Sequence, residues 1–70
     1  MHMDFPTALR AAREQLGMTQ AELGKELHVS FSTINRYENG HHMPTPIILD
    51  AINALFKKNK IPFVYDEMEV

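Results

Sequence analysis

The sequence predicts an all-α fold: a compact domain of four to five helices with a short C-terminal extended arm or strand. Three observations carry that expectation. Helix-start residues recur at Pro6, Thr19, Ser30 and Thr45-Pro46. Apolar residues follow each of them at three- and four-residue spacing. The segment Ile61-Pro62-Phe63-Val64-Tyr65 breaks this pattern, being β-branched and aromatic with a proline near its start. The chain therefore divides into a helical domain, residues 1–60, and an arm, residues 61–70, with an acidic end.

The first helix follows Asp4-Phe5-Pro6, and Leu9, Ala12, Arg13 and Leu16 share one of its faces. Gly17 supplies its stop. Thr19-Gln20-Ala21-Glu22 reads as a capping box, in which the hydroxyl and the carboxylate satisfy each other's free amides. Leu23 and Leu27 stack one turn apart before His28 and Val29 break the pattern. Ser30 caps a third helix, Phe31 to about Glu38, with Ile34 and Tyr37 inward and Asn39-Gly40 at its end. His41-His42-Met43-Pro44 is a loop. Thr45-Pro46 opens a fourth helix with Ile48, Ala51, Ile52 and Leu55 as its apolar stripe, and Lys57, Lys58 and Lys60 suit its negative C-terminal end. Met1 and His2, ahead of a second methionine at Met3, are compatible with an expression remnant and carry no weight. Residues 61–65 have two readings: an unpaired edge that takes a second chain, or an arm that folds back on the fourth helix and covers Phe56.

Seventy residues leave room for one domain with a small core. No cysteine is present, which suits a reducing cytoplasm. No apolar run is long enough for a membrane span, and no signal-peptide pattern is present. The net charge is −2, but Asp66, Glu67 and Glu69 fall in the last five residues. Residues 1–65 carry seven Lys/Arg against six Asp/Glu, one net positive charge. Such a body binds phosphate through a few placed donors, not by bulk charge. The acidic end reads as disordered. Adjacent His41 and His42, with only His2 and His28 elsewhere, make a poor metal site, so none is expected. No cofactor is expected. Nor is an enzyme: no Ser/His/Asp set is indicated, there is no Gly-rich phosphate loop, and so short a helical chain offers little pocket.

Two short helices joined by the turn His28-Val29-Ser30 have the spacing of a DNA-binding helix-turn-helix. Gly24 sits mid-helix, where glycine costs about 1 kcal/mol against alanine. Such a position needs the missing side chain, here for a close helix crossing. Thr19-Gln20-Ala21-Glu22-Leu23, followed by Ser30-Phe31-Ser32-Thr33-Ile34-Asn35-Arg36-Tyr37-Glu38-Asn39-Gly40 and Pro44, resembles the Cro and phage-repressor (XRE-like) helix-turn-helix family over about Ala8 to Leu55. The resemblance implies a phage-repressor-like domain with its third helix in the major groove of double-stranded DNA, usually as a homodimer.

It also implies residue roles. Gln20 resembles the family's phosphate-clamping glutamine. Phe31, Ser32 and Arg36 resemble the positions that face base edges, where arginine reads guanine, serine bonds either way and phenylalanine packs on a thymine methyl. Phe31 also reads as a core staple or a partner contact. Thr33, Asn35, Asn39 and His41 stand where phosphate or sugar is touched, and Ser30 is counted with the DNA-binding residues. Arg13 and Glu38 match a family ion pair. His28 departs from the family's usual glycine, a turn position that tends to positive φ.

The function expected is therefore a sequence-specific transcriptional regulator, a repressor that occupies an operator. An antitoxin or a restriction-system controller would share the domain. A protein-interaction module that does not bind DNA is a third reading. The homodimer contact is expected at residues 61–65.

Overall fold

The computed structural model describes residues 2–65; the acidic end and Met1 lie outside the described residues. Six elements follow in order: β1 His2–Met3, α1 Phe5–Gln15, α2 Gln20–Leu27, α3 Phe31–Glu38, α4 Pro46–Lys58 and β2 Val64–Tyr65. Of the four to five helices expected, the described residues form four. Each starts on a side-chain cap whose oxygen accepts an orphan backbone N–H: Asp4, Thr19, Ser30 and Thr45. At α2 the capping box is complete, with Thr19 N–H donating to Glu22 Oε1 at 2.8 Å and Glu22 N–H to Thr19 Oγ1 at 3.1 Å.

All four helices end the same way. The chain turns through a left-handed residue at Gly17, His28, Gly40 and Lys60. The N–H groups of that residue and the next return to carbonyls of the last turn, as in Val29 N–H to Gly24 O at 2.8 Å and Ile61 N–H to Phe56 O at 2.9 Å. This is the Schellman closure. His28 has φ 61° and Lys60 φ 53°. Both carry a Cβ where glycine is at ease. The Lys60 position was not foreseen, although Ile61-Pro62 after it fits the apolar residue and proline that often follow such a cap.

The core joins Phe5, Ala8, Leu9 and Ala12 of α1 to Leu23 and Leu27 of α2, Ile34 and Tyr37 of α3, and Ile52, Leu55 and Phe56 of α4. The fourth-helix stripe needs one correction. Ala51 is exposed and Phe56 is buried, because the seam of α4 runs through Ile52, Leu55 and Phe56, with Ile48 and Leu49 at its margins. Met3 is also part of the structure. His2–Met3 pair in parallel with Val64–Tyr65, His2 opposite Val64 and Met3 opposite Tyr65. Tyr65 then lies edge-on to Phe5 at 5.1 Å and to Phe56 at 5.7 Å, and its hydroxyl donates to Asn53 Oδ1. The 61–65 segment thus folds back within its own protomer, the second of the two readings above.

Gly24 is buried, but the close approach is not helix to helix. A Cβ there would stand 2.5 Å from the Val29 carbonyl oxygen and 3.2 Å from the Ser30 carbonyl carbon. The turn backbone itself fills the space, because the Schellman closure folds Val29 back over α2.

Two outcomes follow for stability. His28→Gly and Lys60→Gly should each raise the melting temperature. A left-handed non-glycine residue costs about 1–2 kcal/mol, less the roughly 0.4–1 kcal/mol of extra unfolded-state entropy that glycine brings. Gly24→Ala should lower it, at a stability cost of about 1–3 kcal/mol, as overpacked sites do. Thermal melts of the three variants check this, and an unchanged Gly24→Ala would remove the tight turn.

The second outcome concerns acid. The Thr7 side chain and then its N–H hold the Asp4 carboxyl below its ordinary value, and the Thr19 N–H and hydroxyl do the same for Glu22. Both folded values are depressed. Their contribution is therefore present above the unfolded values, about 4, and is lost as pH falls through the lower folded ones. Melts from pH 6 to about pH 2 should show a steeper acid decline in the parent than in the Asp4→Asn, Glu22→Gln double variant.

Candidate nucleic-acid interface

The outward face of α3 follows from what its inner face must bury. At 3.6 residues per turn, Ile34, Tyr37 and Glu38 point inward, all three buried. Ser32 and Arg36, one turn apart, then stand opposite them, both exposed. Phe31 and Asn35 form the flank nearer α2, with Phe31 61% exposed. Thr33, half-buried, takes the other flank. Arg36 has no charge partner among the described residues.

The start of α3 is a hydroxyl cluster. Ser30 Oγ accepts from Thr33 N–H at 3.2 Å and lies 3.0 Å from Ser32 Oγ and 2.9 Å from Thr33 Oγ1. Ser30 is thus the cap of α3 as well as an exposed hydroxyl at its free N–H groups, a setting that suits an anion. His41 is exposed just past the other end, its N–H returned to Arg36 O at 2.9 Å. His42 stacks on Tyr37, with ring centroids 5.9 Å apart and planes 5° from parallel. Burial raises the Tyr37 phenol above its ordinary value.

Beneath this face lies a buried acid. The Glu38 side chain has no exposed surface. Arg13 clamps it with two bonds, Nε to Oε2 at 2.7 Å and Nη2 to Oε1 at 3.1 Å. Arg13 also donates Nη1 to the Met18 carbonyl at 3.0 Å, so one guanidinium ties α1, the bend before α2 and α3. The bond to Glu38 raises the Arg13 pKa from an already high value. Arg10 adds Nη2 to the Glu38 carbonyl at 3.4 Å, with Nε 3.6 Å from Oε1. Sequence reasoning missed Arg10, although it lies three residues before Arg13 and so on the same helical face.

Gln20 is drawn into the same group. Its Nε2 donates to Glu38 Oε1 at 3.2 Å, and its Oε1 accepts from Asn35 Nδ2 at 3.4 Å. Asn39 Nδ2 reaches Asn35 O at 2.8 Å and Asn35 Oδ1 at 3.2 Å. A continuous polar line therefore runs from the buried ion pair through Gln20 and Asn35 to Asn39 at the surface. The structure places Gln20, Asn35 and Asn39 together on one side of the α3 face, Arg36 and Ser32 at its centre, and His41 past its end.

A helix-turn-helix family model matches residues 9–60, which contain all of these groups. The chain belongs to the Cro and phage-repressor (XRE) type of helix-turn-helix proteins. No curated protein and no solved structure matches it. As a member of that family it is a DNA-binding regulator. Within the match, Arg13 and Glu38 are paired, Gly24 lies under the turn and His28 is its left-handed residue, while Phe31, Ser32, Asn35, Arg36, Asn39 and His41 are exposed. No helix among the described residues is long and apolar enough to cross a membrane.

Removing one partner of a buried pair strands the other charge, typically at about 3–5 kcal/mol. Arg13→Met and Glu38→Leu should each lower stability by that order. The double variant should recover much of the loss, since an apolar pair of similar size leaves no charge buried. Denaturant unfolding of the three proteins measures it. Single variants that unfold like the parent would show that the pair does not hold the helices together.

Proposed function

We propose that the protein is a repressor that occupies an operator as a homodimer in the cytoplasm, with α3 of each copy in the major groove. One observation carries the reading. The exposed face of α3 centres on an arginine with no charge partner among the described residues, with a serine one turn away, on a helix whose other side is locked into the core. Arginine in that setting reads guanine O6 and N7 with two bonds.

The flanks fit the rest of a groove contact. Gln20 and Asn39 stand on either side of Asn35 in the polar line, where phosphate would be clamped, and Asn35 braces both. Ser30, Thr33 and His41 are placed to touch phosphate or sugar, contacts that set register without reading sequence. Phe31, exposed at the start of α3, suits a thymine methyl. A near-neutral body depends on such placed donors, so affinity falls with salt but less steeply than for a strongly basic domain. One α3 spans only a few base pairs. Two copies about a two-fold axis would read half-sites about 34 Å apart.

Selection of bound sites from a random duplex library should return a two-fold related motif. On the best site Arg36→Ala should cost about 1–3 kcal/mol and relax preference at one base pair of each half-site. Asn39→Ala should weaken specific and random duplexes alike. Arg36→Ala binding every duplex as the parent does would sink the α3 reading.

A further inference from the structure

Phe31 and Ile47 are the large apolar side chains that stand exposed among the described residues. Phe31 belongs to the α3 face. Ile47, 80% exposed, is used neither by the core nor by the DNA reading. It begins a line along the outer side of α4: Ile47, Ala51, Ala54 and Lys58, all exposed. Steps of four, three and four residues are the spacing of a coiled-coil seam, which keeps one stripe of a helix facing a partner. Ala51, Ala54 and Lys58 also line a shallow groove whose far wall is the end of α2, at Glu26, Leu27 and His28.

We propose that this stripe is where two copies of the chain meet, α4 against α4 and antiparallel about a two-fold axis. The proposal rests on the homodimer reading above and names its surface. Run against itself in the opposite direction, the stripe sets Ala51 of each copy beside Ala54 of the other, and Ile47 beside Lys58. The central alanines let the two backbones come close. The outer isoleucine is covered by the methylene stem of lysine, whose ammonium stays in water.

Charge selects this arrangement. Asp50 and Lys57 stand one residue before Ala51 and Lys58, on a common flank of α4, and both are exposed. Neither has an ion-pair partner among the described residues of its own protomer. Antiparallel packing sets like flanks together, so Asp50 of each copy faces Lys57 of the other, twice across the axis. A parallel pairing would stack Lys58 on Lys58 and leave both acids unmatched. Exposed pairs contribute little affinity, but at flanking seam positions they set partner and orientation. The 61–65 segment, by contrast, already spends one edge and the Tyr65 ring inside its protomer.

The test is a charge exchange on the full-length chain, read as mass by sedimentation over a range of concentrations without DNA. The parent should dimerise. Asp50→Lys makes the flank wholly basic and Lys57→Asp makes it wholly acidic, so each alone should be monomeric with unchanged helix content. An equimolar mixture of the two should dimerise again, as should the Asp50→Lys, Lys57→Asp double variant. Single variants as dimeric as the parent would overturn the α4 contact while leaving the homodimer reading standing. A parent that is monomeric both free and on its best selected site would end the homodimer reading and this surface with it.

Discussion

A carboxylate with no exposed surface sets the terms for this domain. Glu38 stands at the end of α3. Taking it out of water is costly unless every lone pair finds a donor. The donors come from two elements that only the folded chain brings together: Arg13 on α1 and Gln20 at the start of α2, with the Arg10 guanidinium on α1 3.6 Å away as a further charge. The condition is geometric. If α1 or α2 shifts by much more than a hydrogen-bond tolerance, a charge is left unpaired inside a small protein. So the pair fixes where α3 sits on the scaffold, and the Arg13 bond to the Met18 carbonyl extends that control to the bend between α1 and α2.

The angle between α2 and α3 has a second, backbone origin. The left-handed His28 and the return of Val29 N–H to Gly24 O fold the turn onto α2 so closely that no side chain fits at residue 24. A turn held by backbone bonds and a helix end held by a buried ion pair leave α3 little freedom. The exposed groups of α3 are thus carried on a rigid element, which is what reading base edges in a groove requires. The same economy explains how a body with one net positive charge can serve a DNA-binding regulator: position stands in for charge density.

Much of this was legible in the residues because helix ends are written locally. Caps at Thr19, Ser30 and Thr45 and stops at Gly17 and Gly40 act within a turn of chain, and α2 and α3 run where those signals place them. The Arg13–Glu38 pair could be named only through resemblance, since nothing local links residues 25 apart. What stayed hidden depends on tertiary placement. Arg10 reads as one more exposed arginine until α3 is packed beside it. Gln20 looks like a free amide until Glu38 lies under it. Ala51 and Phe56 fit alternative rotations of one helical stripe, and only the neighbours of α4 decide between them. The β1–β2 pair is two residues a side, with its halves at opposite ends of the described chain.

That last feature bears on the order in which the molecule is completed. The helices depend largely on neighbours near in sequence, and such contacts close quickly. The β pair instead joins residues 2–3 to residues 64–65 and encircles the whole helical body, the largest loop in the fold and the most costly in entropy to close. Met3 and Phe5 therefore meet Tyr65 only once the four helices between them are in place. The ring of Tyr65, set edge-on against Phe5 and Phe56, is thus held at the closure of the longest loop in the described chain.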